Sequence, residues 1–189
     1  MKNIPAAYQP ILEATRISGF TMASDLDTGS LLCTLAASKP GGRFLELGTG
    51  TGLSTSWILQ GMDAHSTLIS VDNEQKFLDI AADHLGGDQR LTLEYSDGGE
   101  WLEKNRSLKF DYIFADTWHG KYLLLDLALD NLLNGGIYII DDMLPQPNWP
   151  AGHDLKAQKL RETLREWPDF TITELDWSTG IIIGVKNKN

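Results

Sequence analysis

Three glycines, Gly48, Gly50 and Gly52, follow the apolar stretch 43–47 and precede a stretch with helical spacing. A glycine turn between a strand and a helix lets the main chain approach a ligand, because glycine has no side chain and tolerates positive φ. The first turn of the helix adds unpaired N–H groups and a partial positive charge. The stretch predicts a binding loop for a nucleotide-like cofactor, the alternative being an ordinary tight strand-to-helix turn.

The spacing of this loop separates classes of cofactor. The dinucleotide fingerprint requires G-x-G-x-x-G, but Leu53 stands where its third glycine would be, and the Gly-Lys-Ser/Thr ending of a P-loop is absent from the loop. Glu46 places a carboxylate before the first glycine, which would repel a pyrophosphate and attract a cationic amino group. The pattern E-x-G-x-G-x-G resembles motif I of the class I methyltransferases that bind S-adenosylmethionine (SAM).

Carboxylates follow other predicted strands as well. Asp72 follows the second strand, where it can accept hydrogen bonds from both hydroxyls of a ribose, or cap the next helix. Asp97 follows the third strand and either accepts from an adenine amine or caps the next helix. In an open α/β sheet, residues at the carboxyl ends of the strands surround the ligand.

Three further carboxylates, Asp116, Asp141 and Asp142, follow the fourth and fifth predicted strands. Carboxylates at one sheet edge repel one another unless a positive charge lies among them. Oxygen ligands without Cys or His favour Mg²⁺, Ca²⁺ or Mn²⁺ over zinc. The pattern predicts a divalent-cation site, the alternative being solvated strand ends and a helix cap.

The elements that position these residues alternate between strands and helices. Two N-terminal helices come first, at 4–17 and after a cap at Asp27-Thr28-Gly29, and they end before Pro40. Strands are predicted at 43–47, 67–71, 91–95, 111–115, 136–140, 170–175 and 181–185, and helices at 54–60, 74–85, 99–104, 123–133 and 154–167. Alternation of this kind predicts a parallel sheet covered on both faces. The last two strands are too close for a helical crossover, so they form an antiparallel hairpin. The predicted fold class is therefore α/β, with a seven-stranded, mostly parallel sheet whose shape resembles the Rossmann-like fold of the SAM methyltransferases.

Composition limits the organisation and the partners. With 189 residues and 42% hydrophobic content, the chain is expected to form one domain, 1–189, whose first 40 residues contribute helices to the site. The net charge of −10 argues against a nucleic-acid partner and favours a small molecule. One cysteine, Cys33, excludes a disulfide framework within the chain.

No apolar run is long enough for a membrane span, and the N-terminus lacks the apolar core of a signal peptide, so a cytoplasmic protein without membrane partners is expected. A homodimer is open, because apolar residues of the N-terminal helices, such as Ile11 and Leu12, either pair with a second copy or cover the domain's own core.

Several motifs together resemble the metal-dependent O-methyltransferases of the catechol and caffeoyl-coenzyme A type. The resemblance is carried by Asp116 with Tyr122 six residues later, by Asn134-Gly135-Gly136 and by a strand ending in Asp141. Met22, with Gly29 seven residues on, is similar to the family's N-terminal SAM-contacting segment. The similarity extends over about residues 22–185.

The resemblance implies roles at matching positions. Glu46 and Gly48 would hold the methionine part of SAM, and Asp72 the ribose. Further cofactor contacts would be Met22, Ser24, Thr49, Gly50, Ser54, Asn73, Ser96, Asp97, Asp116 and Trp118. Of these, Ser96 and Asp97 would meet the adenine edge, and Trp118 would lie against the adenine ring unless it is a core residue. Asp116, Asp141 and Asp142 would bind the metal.

Two positions depart from the family. Asp142 stands where the third metal ligand is usually asparagine, and His119 stands where the catalytic base is a lysine. A neutral imidazole can take a hydroxyl proton at neutral pH, so His119 is predicted as the general base. Lys121 would substitute for it or face solvent.

The loop 144–154 follows the metal aspartates and is rich in proline, which predicts a wall or lid over the substrate. Trp149 there, and Trp177 in the terminal hairpin, would either flank an aromatic substrate or pack as ordinary loop residues. His153 is predicted to be a helix N-terminal residue and not a ligand.

The resulting hypothesis is a SAM-dependent O-methyltransferase acting on a small, catechol-like molecule whose two oxygens chelate a divalent cation, Mg²⁺ or alternatively Ca²⁺ or Mn²⁺. The alternatives are a metal-independent methyltransferase, unaffected by EDTA, and a catalytically idle SAM-binding protein. An NAD-dependent oxidoreductase is disfavoured by the glycine spacing and by Glu46.

Overall fold

Seven strands form one sheet in the computed structural model, which describes residues 4–146 and 149–187. The strands are β1 (Arg43–Leu47), β2 (Thr67–Asp72), β3 (Leu91–Tyr95), β4 (Phe110–Ala115), β5 (Leu132–Ile140), β6 (Phe170–Leu175) and β7 (Ile181–Lys186). The helices are α1 (Tyr8–Ser18), α2 (Leu26–Ala37), α3 (Leu53–Gly61), α4 (Gln75–Leu85), α5 (Gly98–Lys104), α6 (Leu125–Asp130) and α7 (His153–Arg165).

The strand order is β3-β2-β1-β4-β5-β7-β6. Strands β1 to β5 pair in parallel, whereas β7 is antiparallel to both of its neighbours, β5 and β6. The predicted fold class and the terminal hairpin are therefore confirmed. The chain reverses its strand order beside β1, and the carboxyl ends of β1 and β4 lie at this reversal, where open α/β sheets bind ligands.

Both faces of the sheet are covered, as the apolar composition of its strands predicts. Neighbouring strand residues point to opposite faces, so Phe44 packs in one core cluster and Leu45 in the other. The first cluster contains residues of α1, α2 and α3, including Tyr8, Leu32 and Trp57. The second contains residues of α5, α6 and α7, including Trp101, Leu127 and Leu160.

Several predicted boundaries were wrong, and the first helix, predicted at 4–17, spans Tyr8–Ser18. The predicted helix 123–133 ends at Asp130, and Leu132 already pairs with Phe110 in the sheet, with a shift of register before Ile137 pairs with Tyr112. Helix α2 is capped by Asp25 and not by residues 27–29, because the Asp25 carboxylate accepts from the N–H groups of Asp27 and Thr28, each at 2.8 Å.

The N-terminal helix α1 covers the core of its own chain. Ile11 is fully buried in the first cluster, whereas Leu12 is 38% exposed. Gly19 ends the helix with a left-handed φ of 74°, which glycine adopts without strain. Among the described residues, no helix is both long and apolar enough to cross a membrane.

Candidate functional site

A cavity of about 800 Å³ opens at the carboxyl ends of the parallel strands. It joins the loop after β1 to the ends of β2, β4 and β5, and the loop before α7 closes one side. Most of the predicted site residues line it: Met22, Ser24, Gly48, Thr49, Gly50, Ser54, Asp72, Asn73, Ser96, Asp116, Trp118, His119, Lys121, Asp141 and Asp142.

The glycine loop requires glycine at all three positions. Gly48, Gly50 and Gly52 have φ values of 107°, 51° and 93°, which other residues rarely adopt. A Cβ on Gly48 would lie 2.7 Å from Thr117 and one on Gly50 would lie 3.0 Å from Phe20. The loop is therefore a close-packed main-chain wall of the cavity.

Asp72 joins the end of β2 to this loop. Its Oδ2 accepts from the Gly50 N–H at 2.8 Å, and its Oδ1 accepts from the Glu74 N–H at 2.9 Å. The hydrogen bond to Glu74 lies at the start of α4, as expected if Asp72 helps to begin that helix. The carboxylate also lines the cavity, as expected if Asp72 binds the hydroxyls of a ribose.

Glu46 is fully buried behind the loop and lies outside the cavity, which corrects its predicted contact with the cofactor. Its carboxylate accepts from three hydroxyls: Ser54 at 2.6 Å, Thr55 at 2.5 Å and Ser70 at 2.5 Å. Burial raises the pKa of Glu46 to about 7, although the three hydroxyls oppose the shift. Glu46 therefore ties α3 to β1 and β2 beneath the loop.

Asp97 also lies outside the cavity lining and acts as a helix cap. Its side chain accepts from the N–H groups of Gly99 at 2.9 Å and Glu100 at 3.1 Å, at the start of α5. Of the two predicted explanations, the cap is the one that the structure shows. The neighbouring Ser96 does line the cavity.

His119 lines the cavity and lies against the start of α5, and its role as the general base stays a prediction. Its ring is packed so closely on Gly99 that a Cβ there would lie 2.9 Å from it, and its Nδ1 is 3.8 Å from Asp97. Gly120, with φ of 84°, then reverses the chain, so that His119 and Lys121 point to different neighbours.

Lys121 lies among the three carboxylates and does not face solvent. Its Nζ donates to the main-chain oxygen of Asp141 at 2.9 Å and to Oδ1 of Asp116 at 3.3 Å, with the side chain only 6% exposed. Burial lowers the pKa of Lys121, but the negative charges of Asp116, Asp142 and Asp141 together have the larger effect, so the pKa is raised. Burial also raises the pKa of Asp116, and Lys121 opposes that shift. We assign an ammonium–carboxylate pair, because Nζ has two oxygen acceptors within 3.3 Å.

The carboxylates do not have the arrangement of a metal centre. Within 4–146 and 149–187, no group of three or more His, Cys, Asp or Glu side chains could hold a metal ion. Asp141 is engaged by the Thr179 hydroxyl and by the Asp142 N–H, the latter at 2.8 Å. The predicted ligands Asp116, Asp141 and Asp142 share one cavity, but the positive charge among them is Lys121.

Aromatic side chains form an aromatic wall of the cavity, and only part of this wall was predicted from the sequence. Trp118, Tyr122, Trp149 and His153 all line the cavity, and the last is the centre of the group. The His153 ring lies 4.5 Å from the Trp149 ring and edge-on to Tyr122 at 5.1 Å. Trp118 is 43% exposed, so it is not a core residue.

The Tyr122 hydroxyl and Nε2 of His153 are 3.1 Å apart. Burial lowers the pKa of His153, and Lys121 and Lys156 lower it further, so the imidazole is neutral at pH 7. His153 was expected only at a helix N-terminus, where it does lie. The cavity role could not be read from sequence, because Tyr122 lies 31 residues away.

The predicted loop wall is confirmed for the described part of 144–154, since Gln146, Trp149 and Pro150 line the cavity. Pro147 and Asn148 lie outside the described residues. Trp177 lies away from the cavity lining and is 46% exposed. Gly29 packs against the indole of Trp57 and not at the cavity.

Comparison with known proteins places this geometry in a family. A family model described as a methyltransferase domain matches residues 45–143, which is 99 of the 189 residues and runs from β1 to just past Asp142. The chain belongs to this methyltransferase domain family. The family's matched segment contains the glycine loop, Asp72, Asp116, Lys121 and Asp141.

Individual relatives extend the similarity. A Mycobacterium tuberculosis protein named a probable O-methyltransferase is 33% identical over 93 residues, 47% of this chain and 42% of its own. The match therefore spans less than half of that relative. A Mycobacterium avium protein is 30% identical over 146 residues, 72% of this chain and 65% of its own.

Solved structures share the fold over nearly the whole chain. An O-methyltransferase from Bacillus cereus, solved with SAH, has a TM-score of 0.83 at 18% identity and covers 96% of this chain and 91% of its own. The O-methyltransferase TomG from Streptomyces achromogenes, solved with SAM, has a TM-score of 0.81 at 20% identity and covers 97% of this chain and 90% of its own. At such identities, the likeness concerns the fold of the methyltransferase domain.

Proposed function

We propose that this protein is a SAM-dependent O-methyltransferase acting on a hydroxyl group of a small molecule. The observation that carries the proposal is the single cavity that joins the glycine loop and Asp72 to the Asp116–Lys121 pair and the aromatic wall. Membership of the methyltransferase domain family and the names of the relatives support the same reaction.

The residues of one half of the cavity suit SAM. Gly48 and Gly50 line the cavity without side chains, so a ligand can approach the main chain there. Asp72 offers a carboxylate at the position expected for ribose hydroxyls, and Asp116 offers one for the cationic amino group. When bound, SAM supplies a methyl group on a positively charged sulfur.

The other half suits a flat, hydroxylated acceptor. Trp118, Trp149 and Tyr122 offer apolar faces and edges, and aromatic rings pack favourably against such surfaces. A small phenol, with a hydroxyl group on an aromatic ring, is therefore the acceptor class that we propose. A catechol is one member of this class.

Tyr122 and His153 replace His119 in the proposed proton transfer. The acceptor hydroxyl gives its proton to the Tyr122 oxygen as the Tyr122 proton moves to Nε2 of His153, across the observed 3.1 Å. The products of this step are an acceptor oxyanion, a neutral tyrosine and an imidazolium. The oxyanion is the nucleophile for the methyl group, and its charge is balanced by Lys121.

The proposal is tested by titrating SAM, SAH and NAD⁺ into the protein in a calorimeter and by incubating it with SAM and a panel of phenols and catechols. We expect binding of SAM and SAH, no binding of NAD⁺, and acceptors heavier by one methyl group. Asp83→Asn, an exposed carboxylate on α4, serves as the control for Asp72→Asn. SAM binding without turnover of any acceptor would favour an idle SAM-binding protein, and lack of SAM binding would refute the proposal.

A further inference from the structure

The positive charge of Lys121 acts on all three carboxylates of the cluster. Its Nζ contacts Asp116 and the main-chain oxygen of Asp141 directly, and Asp142 acts on its charge as well. The side chain is 6% exposed, so water screens these charges only slightly. The cluster that predicted a divalent cation therefore already contains a positive charge supplied by a residue of the chain.

A divalent metal would compete with the Lys121 ammonium for carboxylate oxygens that already accept hydrogen bonds. Mg²⁺ requires a nearly octahedral set of six oxygens at about 2.0–2.1 Å. Oδ1 of Asp116 accepts from Lys121, and Oδ1 of Asp141 accepts from Thr179 and from the Asp142 N–H. A metal ion among these groups would face a neighbouring ammonium and displaced hydrogen bonds, both of which oppose its binding.

We propose that Lys121 is the permanent cation of this cluster, in place of a divalent metal, and that its ammonium stabilises the acceptor oxyanion. The first half depends only on the contacts of Lys121. The second half rests on the proposed methyl transfer.

The replacement changes the class of acceptor. A chelated metal takes two vicinal oxygens, whereas an ammonium has three N–H donors, of which two contact Asp116 and Asp141 among the described residues. One N–H is left for one acceptor oxygen. An aromatic ring with a single hydroxyl therefore satisfies the site, and a second, adjacent hydroxyl adds no metal contact.

Metal binding is the direct test. Mn²⁺ is titrated into the full chain, with and without SAM, and free Mn²⁺ is followed by electron paramagnetic resonance. We expect the wild type to bind no more Mn²⁺ than Asp141→Asn. One Mn²⁺ ion bound per chain and lost in Asp141→Asn would overturn the inference.

A second test of metal binding removes the lysine. Lys121→Ala frees the carboxylates and removes a unit charge a few ångströms from the centre of the cluster, so it is expected to bind Mn²⁺ at least about 100-fold more tightly than the wild type. Lys104→Ala, an exposed lysine paired with Glu100 at 3.2 Å, is the matched control and gains nothing. A folded Lys121→Ala without added Mn²⁺ affinity would refute the replacement. If Lys121→Ala does not fold, Lys121→Gln serves in the same comparison.

Acceptor preference tests the second half. We expect kcat/KM for catechol and for phenol to agree within about tenfold, and EDTA to change neither, because a site that needs both oxygens rejects the analogue lacking one by about 10⁴-fold. A preference of that size for catechol, abolished by EDTA, would overturn the inference. If no acceptor is methylated, the proposed function fails, while the Mn²⁺ results still decide the first half.

Discussion

The Gly50 N–H donates to Oδ2 of Asp72 over 2.8 Å, so the carboxylate that ends β2 also fixes the middle of the loop that follows β1. One side chain thereby orders the loop and lines the cavity. Removing it is expected to affect both properties together.

Asp72→Ala is expected to weaken SAM binding at least about tenfold, because a ribose partner and the anchor of the loop are lost together, and to lower stability by about 1 kcal/mol for the lost hydrogen bonds. Calorimetric titration and denaturant unfolding measure the two effects. Asp83→Ala, at an exposed carboxylate on α4, should change neither. Unaltered SAM affinity in Asp72→Ala would show that the carboxylate does not contact the cofactor.

Gly50→Ala is expected to weaken SAM binding strongly while the chain still folds. Its φ of 51° costs a non-glycine residue about 1–2 kcal/mol, and the new Cβ would lie 3.0 Å from Phe20. Gly87→Ala is the control, since its Cβ would meet nothing within 4 Å. Equal SAM affinity in both variants would contradict the close approach of the ligand to this loop.

Glu46 makes stability depend on pH. Its folded-state pKa of about 7 lies above its ordinary value of 4.5, so the unfolded chain releases this proton first, and stability present below pH 4.5 is lost as the pH rises through 7. Glu46→Gln stays neutral, so its stability relative to the wild type should increase between pH 4.5 and 8 by on the order of 3 kcal/mol. Urea unfolding at several pH values measures this difference. Glu103→Gln, on the exposed side of α5, should show no such change with pH. If the stability difference between Glu46→Gln and the wild type does not change with pH, Glu46 is not the group that titrates.

His153→Gln and His119→Gln distinguish the two candidate bases. The first is expected to reduce kcat by about 10²-fold or more and to remove the acidic limb of the pH–rate profile, since the proton acceptor is lost. The second should alter KM for SAM more than kcat, because His119 lies against the start of α5 near Ser96. A loss of kcat in His119→Gln alone would restore the base predicted from sequence.

Much of the fold was predictable from sequence, whereas the partners of the site residues were not. Strands β1, β3 and β6 match their predicted bounds, because each is a short β-rich run bounded by turn residues or polar segments. The start of β5 was missed, since consecutive leucines fit a helix and a strand equally well. Glu46 finds its hydroxyls 8, 9 and 24 residues away, which depends on packing that no local pattern encodes.

The carboxylate cluster shows the same limit. Its three aspartates were placed at the correct sheet edge by the parallel-strand rule alone. The direction of the Lys121 side chain depends on the left-handed turn at Gly120. The glycine between His119 and Lys121 could have indicated from the sequence that these two candidate bases point in different directions.

The turn between β6 and β7 connects parts of the chain that are made at different times. Ser178 donates to Asp25, the cap of α2, and Thr179 donates to Asp141. Synthesis therefore delivers the glycine loop, Asp72 and the aspartates of the cluster before the residues that hold Asp141 in place. In a nascent chain, the hydrogen bonds to Asp25 and Asp141 can therefore form only after Ser178 and Thr179 have left the ribosomal exit tunnel.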